Sequence, residues 1–177
     1  MFDVAALRGV YNDLLKAAVA VADSGPPLPP PPGEWNAERI LAHVCLVTAA
    51  TLASASAVAA GAHTTYDNRL AQDTWTIDRL VDLAGGCSGL RERLRRQAEM
   101  LCGCGGPALS DAELDTPVPT RLLSAGALLL DQAVPLRNLF IGLIDVEIPG
   151  HTRQLLALRG RGDGTGRAEV RAGAVTG

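Results

Sequence analysis

The chain has 177 residues, 47% of them hydrophobic, which suits one domain with a single core. Its formal net charge of −3 and its 3% aromatic content leave neither the basic field nor the stacking surface that nucleic-acid binding calls for. Cys45, Cys87, Cys102 and Cys104 are too few for a disulfide scaffold at this length, and with no secretory leader before them the expected setting is a reducing cytoplasm.

Asp3 can cap a first helix running to about Asp23, because Val4, Leu7, Tyr11, Leu14 and Ala18 fall on one stripe. Ser24-Gly25 and the prolines from Pro26 to Pro32 stop it and read as a stiff connector. Asn36 is placed to cap a second helix to about Ala60, with Glu38 in its first turn and Trp35 positioned to staple onto Ile40. The segment from Ile40 to Ala62 is apolar enough to raise a membrane span. Its Ala, Ser, Thr and His43 content favours a helix packed among other helices. The small residues Ala53 to Ala60 would allow close approach of another helix, including one from a second copy in a homodimer.

Gly61 to Trp75 reads as a polar connection carrying His63 and Tyr66-Asp67-Asn68-Arg69, of which Asp67, Asn68 and Arg69 are candidates to line a cleft. A third helix is expected from about Thr76 to Leu101, with a bend or break at Gly85-Gly86 and a solvated arginine face at Arg91, Arg93, Arg95 and Arg96. Gly103 to Pro119 reads as a loop, and Cys102 and Cys104 around its start as ordinary thiols. The runs Val118 to Leu123 and Ala127 to Leu130 can pair as a small hairpin. From Gly160 onward the composition is Gly- and Arg-rich, as in a flexible tail, so the domain is placed at residues 1–159 and the tail at 160–177.

The most informative stretch is Pro135 to Arg159. Leu136, Phe140, Leu143, Glu147, His151 and Leu158 recur at helical spacing, which sets a carboxylate and an imidazole in line with the core stripe. Glu147 and His151 are neighbours one turn apart. A buried carboxylate needs a partner, and a divalent metal held by Glu147, His151 and a third ligand, His43, would supply one. Zn2+ suits such a set and would keep a fourth position for water or substrate; Ni2+, Fe2+ and Mn2+ take the same donors. Taken singly, His43 reads as a core histidine, and Glu147 as a partner of Arg137 or Arg153. Pro149 should bend or widen the helix between the two ligands, or begin a new one.

GEWNAERILAHV, with Trp35 eight residues before His43, and EIPGHTRQLLALR, with Glu147, His151, Gln154 and Arg159, together resemble the DinB/YfiT-like metal-binding proteins. The closest likeness is to the N-terminal domain of the mycothiol-dependent maleylpyruvate isomerases. The resemblance implies an all-α, up-down four-helix bundle, a divalent metal on His43, Glu147 and His151, and a thiol transferase or isomerase using a low-molecular-weight thiol such as mycothiol. Those isomerases carry a further C-terminal domain that helps to bind the thiol, whereas a short tail follows Arg159 here. The competing reading is a non-catalytic helical bundle that binds a ligand or a second copy and whose metal site is vestigial or structural.

Overall fold

A computed structural model describes residues 3–105, 108–124 and 126–160. The segment expected to form the tail lies, from residue 161 on, outside the described residues. The chain is mostly helical with a small three-stranded sheet.

Helix α1 spans Val4–Asp23 and is capped by Asp3, whose carboxylate accepts from the amides of Ala5 and Ala6. Its buried stripe, Leu7, Tyr11, Leu14, Ala18 and Val21, is the one its periodicity predicts. The proline connector is tied down, since the Leu28 amide donates to the Leu158 carbonyl. Helix α2 spans Ala37–Ala59, with Asn36 accepting from the Arg39 amide at its start. By length and hydropathy α2 could cross a membrane, yet 61% of that apolar window is buried inside the protein, as in a core helix.

The single third helix expected from Thr76 to Leu101 is two helices, α4 (Thr74–Ala84) and α5 (Cys87–Gly105), preceded by the short α3 (Arg69–Gln72). Gly85 and Gly86 separate α4 from α5 at φ of 74° and 79°, a region that side-chain-bearing residues avoid. Helix α5 runs through Cys102 and Cys104, so those thiols stand on a helix and the loop expected from Gly103 starts later. Part of that loop is itself helical: α6 (Asp111–Leu114) opens with a capping box between Ser110 and Glu113.

The expected hairpin is present and longer than the apolar runs suggested. Strands β2 (Pro117–Ser124) and β3 (Ala127–Pro135) pair antiparallel, and the short β1 (Tyr66–Asp67) adds in parallel to β2. Chain-final elements are α7 (Leu136–Gly142), a π-helical turn (Leu143–Glu147) and α8 (Ile148–Ala157). Helix α1 packs on α5 and α8, and α2 packs on α5 and α8, and all four contribute to a core that includes Leu7, Leu41, Leu94 and Leu155 beside Ile77 of α4 and Phe140 of α7. Polar groups in that core meet partners on other helices, as where the Tyr11 hydroxyl lies 2.7 Å from Thr48 Oγ1, whereas the buried Oε1 of Gln97 has no hydrogen-bond partner among the described residues.

Candidate metal centre

His43 sits on the inner face of α2 and is 2% exposed. Its Nδ1 lies 2.7 Å from the carbonyl oxygen of Ala71, in α3. A carbonyl only accepts, so Nδ1 carries the proton and Nε2 is left to point the other way. Nε2 lies 2.8 Å from Oε1 of Glu147. His151 approaches the same oxygen, its Nε2 at 3.3 Å, while its Nδ1 lies 2.7 Å from Oε1 of Gln154. The two imidazoles are 4.6 Å apart by ring centroids, and the Trp35 ring lies 4.9 Å from that of His43. Trp35, expected to staple the start of α2, thus also shields an imidazole.

Two ring nitrogens whose partner nitrogens already hold their protons face one carboxylate oxygen. Lone pairs would meet there unless a proton or a cation lies between them. Burial alone would raise the Glu147 carboxyl's pKa, but with a proton between it and the rings the hydrogen bonds from His151 and His43 outweigh burial and hold the group well below the usual carboxylate range. Glu147 is therefore a carboxylate, with a third of its side chain open to the cavity beside it.

One donor atom from each of the three residues falls within 4.8 Å of the others. Ligands about 2.1 Å from a tetrahedral ion are about 3.4 Å apart, so the His151–Glu147 contact already has nearly the required length, the His43–Glu147 contact needs to open by about 0.6 Å, and the widest separation in the set, up to 4.8 Å, needs to close as the side chains turn toward an ion. Residues and geometry fit a divalent metal, and the hydrogen-bonded Nδ1 atoms are the outer contacts that orient histidine ligands.

The backbone explains how one helical stretch supplies two of these groups. Pro149 has no N–H to give, and the ladder there shifts: the Ile148 amide bonds to the Leu143 carbonyl, five residues back. The turn widens at Leu143–Glu147, and α8 then starts with Pro149 in its first turn. Both consequences expected of Pro149 occur together, and Glu147 and His151 still face the same point across the junction. Glu147 does not pair with Arg137, which bonds to Asp115 instead.

The centre lies in the wall of a cavity of about 760 Å3, bounded by Trp35, Leu122, Leu123, Leu129, Leu139 and Val146 among others. Strand alternation would turn only every second leucine of the hairpin inward. A bulge at Leu122/Leu123, where the partners jump from Leu130 to Leu128, breaks it and lets Leu122, Leu123 and Leu129 all reach the cavity. Asn68 pins this wall: its Nδ2 donates to the Leu123 carbonyl at 2.9 Å and its Oδ1 accepts from the Leu123 amide at 2.8 Å. Tyr66 also lines the cavity, and burial, outweighing its hydrogen bond with Thr51, lifts its phenol to about 12, so it stays protonated near neutrality.

Of the proposed cleft residues, then, Asn68 lines the cavity as a backbone clamp. Asp67 and Arg69 do not line it; they pair with each other at 2.7 Å at the surface. His63 is exposed, away from the centre. All four cysteines are free, and burial raises Cys45 to about 12 and moves Cys87 and Cys102 upward, which makes these thiols weak nucleophiles. Gln154 belongs to the motif quoted above, but its role as the partner of His151 was not foreseen, nor was that of the Ala71 carbonyl. The i, i+3 spacing from His151 to Gln154 is a signal that could have found the first. No protein-family model matches the chain, and neither a curated protein nor a solved structure is significantly similar to it.

Proposed function

We propose that this chain is a DinB/YfiT-like four-helix protein whose His43, Glu147 and His151 bind a divalent metal, Zn2+ in the first place, for thiol transfer or thiol-dependent isomerisation in the cytoplasm. The observation that carries the reading is the convergence of two Nε2 atoms on one Glu147 oxygen, with His43 Nδ1 committed to a carbonyl. A dication held there would supply Lewis acidity and favour the thiolate form of a bound thiol.

The chain's own groups have separate parts in this scheme. Glu147 offsets one positive charge. The Ala71 carbonyl and Gln154 hold the two rings in register. Leucine side chains in the cavity wall would set apolar surface beside the thiol's body. In transfer, the thiolate sulfur would bond to an electrophilic carbon, the leaving group would depart with the bonding pair, and the thiol proton would pass to water.

Elemental analysis of protein purified without an affinity tag tests the metal reading. Near-stoichiometric metal that disappears in His151→Ala is the expected result. No metal after reconstitution with Zn2+, Ni2+ and Mn2+ would overturn it.

A further inference from the structure

We infer that the cavity over the centre selects an uncharged, largely apolar molecule that presents one donor atom to the metal, and that it rejects dicarboxylates. The inference rests on the metal reading above and concerns what accompanies the donor atom.

At about 760 Å3 the cavity is sized for a small molecule. Among the described residues that line it there is no lysine or arginine, while Glu34 and Glu147 are both acidic. Two nearby guanidiniums are turned outward and occupied. Arg121, between the inward Thr120 and Leu122 of β2, holds Asp131 across the hairpin at 2.8 Å, and Arg69 holds Asp67. The remaining polar lining includes the uncharged amides of Gln72 and Asn138.

A diacid could place one carboxylate on the metal. Its second would then lose water among leucines with no cation to meet it, a costly arrangement. An alkyl or aryl body faces the opposite balance. The bulge at Leu122/Leu123 has turned three leucines toward the space that such a body would fill. Of the two chemistries proposed above, this favours sulfur transfer to an apolar electrophile over isomerisation of a dianionic acid.

The test uses the full chain loaded with Co2+, whose visible absorption reports changes in its ligands, titrated with n-alkanethiols from butane- to octanethiol and with maleate and succinate. The expected result is a two- to fourfold tightening per added methylene, since each buried methylene contributes about 0.8 kcal/mol, with both diacids at least tenfold weaker than hexanethiol. Leu129, 67% exposed on the hairpin, can be changed without opening the core. Leu129→Arg should leave Co2+ uptake unchanged, weaken hexanethiol and tighten maleate. Normal Co2+ uptake with an affinity flat in chain length, or with maleate tighter than hexanethiol, overturns this inference and leaves the metal reading standing. Failure to take up Co2+ overturns both.

Discussion

Two clefts in this protein gather ionisable groups, and they differ in what those groups need. The groove between α2 and α4 is lined by Glu34, Glu38, Arg39, Asp78 and Asp82, more charges than the leucine-walled cavity holds. There Arg39 holds Asp78 with two hydrogen bonds of 2.8 and 2.7 Å, and both side chains remain well exposed. Arg39 and Asp78 answer each other and stay open to solvent. In the cavity, the imidazole that anchors the centre is buried and its free nitrogen meets a carboxylate oxygen also approached by a second imidazole. A site is marked by convergence and burial, and the number of charges is a poor guide.

The comparison breaks most readily at the proposed metal ligands. His43→Ala and His151→Ala should each abolish stoichiometric Zn2+ binding, while Asp78→Asn in the groove leaves it unchanged, as direct titration with a chromophoric chelator would show. Metal should also stabilise the fold, because an ion that binds only the native state adds about 2.7 kcal/mol at a free concentration of 100 Kd and about 4.1 kcal/mol at 1,000 Kd. Thermal unfolding with added Zn2+ should therefore move upward in the native chain and stay fixed in His151→Ala. An equal rise in both would place the metal elsewhere.

Outer contacts come next in size. Gln154→Leu removes the acceptor from His151 Nδ1 without touching a ligand atom, and should weaken Zn2+ binding about 10- to 100-fold. Asn68→Ala reaches the cavity from its other side. It strips the Leu123 amide and carbonyl of their side-chain partner and should cost about 2 kcal/mol in urea unfolding. Unchanged stability would mean that water replaces the clamp without loss. Both variants separate the cavity from the groove, where no single side chain holds a strand in place.

How much of this was legible in the sequence follows from the range of each signal. Caps at Asp3 and Asn36, the apolar stripes, the glycine break at Gly85-Gly86 and the hairpin are local, and the structure has them. His43, Glu147 and His151 were legible because ionisable groups on apolar stripes are conspicuous against a periodic background. The Asn68 clamp joins residues 55 apart in sequence, and periodicity says nothing about such partners. The cavity leucines were hidden for a related reason: the bulge that turns them inward breaks the alternation by which a strand's inner face is read. Asp67 and Arg69 misled because a polar run in a long connection looks alike whether it lines a cleft or pairs at the surface.

The smallest expected effect belongs to the groove and sharpens the contrast most directly. Arg39→Ala removes the best-formed ion pair there, a two-pronged contact joining α2 to α4. Its partners are 39% and 48% exposed, so water can solvate whichever charge is left, and the loss should stay below about 1 kcal/mol. Added salt should shrink it further, because exposed charges are screened. The carboxylates of the groove should bind Zn2+ no better once the guanidinium is gone, since they lack imidazole nitrogens and lie open to solvent. A loss above about 2 kcal/mol in urea unfolding, or a second Zn2+ equivalent in titration, would show that the groove is as organised as the cavity and would end the distinction between them.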